Sequence, residues 1–202
     1  MTRIKLCGIR RITEIDVINT LKPDYVGFVF APKSKRAVTK QTAEELRLRL
    51  HRDIKTVGVF VDEELSVVTE LLQAGIIDIA QLHGHETEEY IGRLKDVSGK
   101  PVIRALRIRK KEDLALADTC AADHILLDAG AGDGVTFDWT WLQTVKRPYF
   151  LAGGLNPENV GGAVQMLRPF GVDVSSGIET DGVKDFEKMR AFVEAVRQQD
   201  EK

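Results

Sequence analysis

Short apolar runs alternate with amphipathic segments eight times along this chain, and that rhythm restricts the folds open to it. The runs RIKLC, DYVGFVF, TVGVFV, IDIAQLH, PVIRAL, DHILLD, YFLAG and VDVSS have the length and composition of strands. Between them stand ITEIDVINTL, TAEELRLRLH, LSVVTELLQAG, ETEEYIGRLKDV, KEDLALAD, WTWLQTV, NPENVGGAVQMLR and KDFEKMRAFVEAVRQQ, all with helical character. Thr42-Ala43-Glu44-Glu45 has capping-box spacing, and Asn156-Pro157 places a capping side chain before a proline at the first helical position. Such alternation implies parallel strands joined by helical crossovers. An open doubly wound sheet is the rival, but no Gly-x-Gly-x-x-Gly follows the first run. The expectation is an α/β chain folded as a single-domain (β/α)8 TIM barrel over residues 1–202.

Composition removes several classes of function. Twenty-nine Lys and Arg against 31 Asp and Glu give a formal net charge of −2, without the basic footprint of a nucleic-acid binder. No apolar run reaches membrane-spanning length, and the charged N-terminus lacks the apolar core of a signal peptide. Neither a nucleic acid nor a membrane is expected as a partner, and the expected location is cytoplasmic. Cys7 and Cys120 lie far apart without CxxC or Cys/His spacing, which argues against disulfides and structural zinc.

In a barrel, the C-terminal ends of the strands face the active site. There the chain carries Cys7, Arg36 within FAPKSKR, Asp62, His83, Arg107, Asp128, Gly153-Gly154 and Ser175-Ser176-Gly177. Glycine-rich turns follow the seventh and eighth strands, where barrels often hold phosphate. Glycine lets the backbone approach a ligand, and unpaired amides favour an anion. Cys7 in isolation reads as a small buried hydrophobe, but its place at a strand end makes it a candidate for chemistry. His83 and His85 lack the companions of a metal site, so no metal is expected.

Read in order, IKLCGIR, GFVFAPKSKR, VGVFVDE, AQLHGHE, LLDAG with GDGVTFDW, LAGGLNPENV and VDVSSGIETDGVKD resemble the phosphoribosylanthranilate isomerase family of tryptophan biosynthesis. The resemblance covers almost the whole chain. It implies an unfused, monofunctional enzyme, monomeric or homodimeric, acting on a small sugar phosphate without metal or organic cofactor. The reaction it implies is an Amadori rearrangement of N-(5-phosphoribosyl)anthranilate to 1-(2-carboxyphenylamino)-1-deoxyribulose 5-phosphate. Asp128 would be the acid that opens the furanose, Cys7 the base that takes the C2′ proton, and Arg36 the ligand of the anthranilate carboxylate. Asp173, Gly153, Gly154, Ser176 and Gly177 complete the expected substrate contacts.

These roles make demands on the environment. An aspartic acid with a reference pKa of about 3.9 needs apolar burial or a substrate contact to keep its proton at pH 7. A thiol near 8.5 is only about 3% thiolate at pH 7, and one unit downward raises that to about 24%. Lys5 shares a strand face with Cys7 about 7 Å away and is expected to supply that shift, with Asp173 as its own partner. Cys120 is expected to be inert packing, and Phe137-Asp138-Trp139 with Trp141 to anchor the loop and helix after the sixth strand. The related family that isomerises the aminoaldose of histidine biosynthesis is an alternative, but its base resembles an aspartate where this chain has Cys7 and it tends to half-barrel repetition not found here; a noncatalytic sugar-phosphate binder leaves Cys7, Asp128 and Arg36 without a joint purpose. One departure stands out: Gly132-Asp133-Gly134 replaces the usual Gly-Thr-Gly or Gly-Ser-Gly. Asp-Gly is turn chemistry, so Asp133 is expected to face water rather than to repel the anionic substrate.

Overall fold

The computed structural model describes residues 1–128 and 139–201. Eight parallel strands close into a barrel in chain order: β1 (Arg3–Cys7), β2 (Tyr25–Val29), β3 (Lys55–Phe60), β4 (Ile79–Leu82), β5 (Val102–Arg107), β6 (His124–Asp128), β7 (Tyr149–Ala152) and β8 (Gly171–Val174). Pairing of β1 with β8 closes the ring and sets Lys5 opposite Asp173; on its other side Cys7 stands opposite Gly27. The helices are α1 (Ile12–Leu21), α2 (Lys40–Arg49), α3 (Leu65–Gln73), α4 (Glu88–Ser98), α5 (Ala115–Thr119), α6 (Pro157–Leu167) and α7 (Phe186–Asp200). A short antiparallel hairpin, β9 (Glu179–Thr180) with β10 (Val183–Lys184), stands between β8 and α7.

Two apolar layers hold this arrangement. The outward strand residues Ile4, Leu6, Val26 and Phe28 join helix residues such as Ile15, Ile18, Leu46 and Phe192 in one buried cluster. Inside the ring, Val57, Ile79, Ile103, Leu126 and Phe150 fill the barrel. The barrel is a packed core rather than a pore, so a ligand must enter above it. At the lower end, His124 stacks on Phe170 with ring centres 5.3 Å apart.

Local chemistry departs from the sequence expectation in three places. The N-cap of α2 is Thr39, whose hydroxyl accepts from the Thr42 N–H, so the helix begins before the predicted Thr42 box. KEDLALAD splits into a 3-10 turn (Lys111–Leu114) and the brief α5, because Asp113 folds back to accept from the Arg109 and Lys110 amides. WTWLQTV forms a 3-10 segment (Trp139–Thr144), consistent with the weak helix propensity of tryptophan and threonine. Asn156 caps α6 as expected, accepting from Glu158 and Asn159 amides ahead of Pro157. Gly132-Asp133-Gly134, with Phe137 and Asp138, lies outside the described residues.

Candidate active site

Above the packed interior, the strand ends surround a cavity of about 870 Å³. Cys7, Arg36, Asp128, Gly153, Gly154, Asp173 and Ser176 all line it, joined by His83 and Arg107. Gly177 does not. A Cβ there would stand 1.9 Å from the Leu155 carbonyl oxygen, so Gly177 is where the two glycine-rich loops press together. Among the described residues, no three His, Cys, Asp or Glu side chains gather as a metal site.

Cys7 ends β1 with its side chain buried against Val29 and Val59. Gly27 makes room for it, since a Cβ there would lie 2.6 Å from Sγ. The next residue, Gly8, has φ +79, and a Cβ on it would strike the Arg36 side chain at 2.5 Å. Glycine is thus required behind the thiol both by backbone conformation and by the arginine crossing over it. The expected lysine helper is present: Lys5 is fully buried and its Nζ donates to Asp173 Oδ1 at 2.8 Å. Burial alone would pull the Lys5 ammonium down, but Asp173 and the thiol outweigh it and the net direction is up. The expected activation of Cys7 is not found. Burial pushes the thiol up, Lys5 and Lys184 pull it back only in part, and Asp173 pushes it further up. Pairing Lys5 with Asp173 cancels much of the field that was expected to favour the thiolate.

Arg36 comes from the β2–α2 loop and meets a partner that the sequence did not disclose. Its Nε and Nη2 donate to the two carboxylate oxygens of Glu179, each at 2.6 Å. Glu179 also accepts from Lys184 Nζ at 2.8 Å, and Lys184 reaches on to the Ser175 carbonyl at 2.8 Å. Ser175 Oγ in turn donates to the Cys7 carbonyl at 3.2 Å. Burial alone would raise the Glu179 carboxyl, but hydrogen bonds from Arg36 and Lys184 hold it at about 2. One edge of the guanidinium is therefore fixed from behind, which holds the planar fork in place for a carboxylate approaching its other edge.

Asp128 ends β6, and His83 Nε2 lies 3.3 Å from its Oδ2. His83, which by sequence reads as a polar rim or core residue, lines the rim and is a neighbour of the candidate acid. The loop that carries it is braced by Glu86, which accepts from the Asp62 and Gly84 amides and pairs with Arg104. His85, by contrast, is exposed and paired with Asp62. Trp139, expected as an anchor, packs against the core and also lines the cavity. Gln81 on β4 lines it as well.

The turn after β7 has the backbone that its glycines implied. Gly153 and Gly154 have φ +94 and +66, a pair in the positive-φ region that glycine adopts at low steric cost, and both line the cavity. Asn159 holds this turn by donating to the Gly154 carbonyl at 3.0 Å. The first amides of α6 are taken by the Asn156 side chain. Those amides are therefore not free to meet an anion.

Comparison with known proteins places this geometry. Residues 4–195 match the family model described as N-(5′phosphoribosyl)anthranilate (PRA) isomerase. A relative of that name from Acetivibrio thermocellus is 44% identical over 99% of this chain and 98% of its own length. The crystal structure of phosphoribosyl anthranilate isomerase from Thermotoga maritima superposes with a TM-score of 0.91 at 34% identity, covering 98% of this chain and all of that one. A further structure of the enzyme, in complex with reduced 1-(o-carboxyphenylamino)-1-deoxyribulose 5-phosphate, gives a TM-score of 0.88 at 35% identity over 98% of this chain and 100% of the other. Agreement over the full length in sequence and in fold leads to one placement: this chain belongs to the N-(5′-phosphoribosyl)anthranilate isomerase family.

Proposed function

We propose that this chain carries out the family reaction, converting N-(5-phosphoribosyl)anthranilate to 1-(2-carboxyphenylamino)-1-deoxyribulose 5-phosphate, with Asp128 as acid and Cys7 as base. The observation that carries the assignment is their placement. The two groups face one cavity from β6 and β1, with the glycine-rich loops of β7 and β8 between them. A substrate whose phosphate rests on the loops beside Gly154 and Ser176 spans both groups. Asp128 gives its proton to the furanose oxygen, and the C1′–oxygen bond breaks to leave a C1′ iminium. Cys7 removes the C2′ proton, and that electron pair forms the C1′–C2′ double bond of an enolamine. Tautomerisation protonates C1′ and leaves the C2′ ketone. Arg36 receives the anthranilate carboxylate on the edge that Glu179 leaves open, and Asp173 offers its second oxygen to a sugar hydroxyl. All of these side chains come from one barrel, which fits a working unit that is a monomer or a homodimer in the cytoplasm.

The test is turnover of synthesised phosphoribosylanthranilate by the purified protein, followed by loss of the substrate's fluorescence. Cys7→Ser and Asp128→Asn should each lower kcat by about 10²–10⁴-fold while still binding the reduced product analogue. Wild-type protein that leaves the substrate unchanged refutes the activity. A folded variant with normal turnover removes that residue from the mechanism.

A further inference from the structure

Gln81 is a buried polar side chain in the cavity wall that the reaction outlined above does not use. It is 2% exposed, lies on β4, and lines the cavity. Its carbonyl oxygen Oε1 is buried and meets no hydrogen-bond donor among the described residues. A buried amide oxygen without a donor destabilises the protein that holds it, so such a group calls for an explanation. A ligand that brings its own donor supplies one.

The neighbours say which part of the ligand that is. In the sheet Gln81 stands beside Val59, and Val59 packs against the Cys7 side chain. Two residues on, along the same strand face, His83 approaches Asp128 at 3.3 Å. Gln81 therefore lies between the candidate base and the neighbour of the candidate acid, below the rim where Arg36 and the phosphate loops hold the ends of the substrate. The group due at that level is the C2′ carbon with its oxygen. That oxygen is a hydroxyl in the substrate and enolamine, where it donates, and a ketone in the product, where it only accepts. A primary amide suits both states, because a half-turn about its last torsion exchanges the acceptor and donor ends.

Resting on the reaction assigned above, we propose that Gln81 binds the C2′ oxygen of the substrate through its side-chain amide. The test compares two ligands, the reduced product analogue, which carries a C2′ hydroxyl, and the same molecule with hydrogen in its place. Wild type should bind the hydroxyl compound about tenfold or more tightly than the deoxy compound. Gln81→Met, close to isosteric and without a polar atom, should erase that preference, lower kcat/KM by a similar factor, and melt no lower than wild type. Equal affinities in wild type overturn the proposal, and this arm needs no variant to fold. So does a preference that survives in Gln81→Met, or a variant that melts lower and loses affinity for both ligands alike, which marks a structural amide. Failure of wild type to turn over phosphoribosylanthranilate is a separate result that bears on the reaction and not on this contact.

Discussion

At the scale of single residues, the thiol and its surroundings show how position and electrostatics can point in different directions. Cys7 is the group proposed as the base, yet burial favours its protonated form, and the nearby Lys5 is neutralised by Asp173. Asp173 is thus a lever on the base as well as a cavity residue. Its negative charge raises the thiol, so Asp173→Asn should move the rising limb of kcat/KM to lower pH. The same change leaves a fully buried ammonium without its counter-ion, which typically costs about 3–5 kcal/mol. A pH–rate profile and a denaturant titration check the two halves together. A limb that stays in place shows that the Asp173 charge does not set the base. The pairing of Lys5 with Asp173 was legible because both fall on inward positions of strands that must meet when the ring closes. The direction of the Cys7 shift was not, because desolvation depends on how completely Val29, Val59 and Gly27 close around the sulfur, and a strand pattern carries no such depth.

The hairpin of β9 and β10 is the element that sequence periodicity concealed. At two residues per strand it leaves no alternation to detect, yet it places Glu179 and Lys184 behind Arg36 and beside the Ser175 loop. Glu179→Gln keeps the shape and removes the charge, so it should loosen the arginine and raise KM for the carboxylate-bearing substrate more than it lowers kcat. The same substitution has a pH signature with a fixed sign. The folded carboxyl is held at about 2 against an ordinary 4.5, so its stabilising effect is complete above about pH 4.5 and fades as pH falls towards about 2. Thermal melts should show wild type above Glu179→Gln at pH 7, with the gap closing between pH 4.5 and 2. A gap independent of pH assigns the loss to packing. Longer elements were easier to read. All eight strands and most helices stand within a few residues of their predicted spans, whereas the α2 start moved because Thr39 satisfies an amide that no box three residues later can reach. His83 escaped for a related reason: its importance comes from β6, two strands away, and not from its own neighbours in sequence.

For the whole molecule, closure of the ring is the step that turns eight local patterns into one site. It brings residue 5 to residue 173 and sets the Leu155 loop against Gly177, contacts that exist only once β8 has returned to β1. The alternation of runs implied that closure, which is why the fold and most of the rim were readable before any distance was known. Ligand binding at the rim should then stabilise the barrel as a unit, because the loops proposed to hold the phosphate take their geometry from strands on both sides of the β7–β8 junction. Inorganic phosphate is the simplest probe. At ten times its dissociation constant, a ligand bound only by the folded state adds about 1.4 kcal/mol, or about 3–6 °C in Tm for a chain of this size. Phosphate should also compete with the substrate. Ser176 is exposed and lines the cavity, so Ser176→Asp adds a negative charge at the anion's place without disturbing the core. The variant should melt close to wild type in the absence of phosphate, lose the phosphate-dependent rise, and show a raised KM with kcat less affected. If phosphate raises Tm equally in both proteins, the anion is held elsewhere and the two glycine-rich loops are only turns.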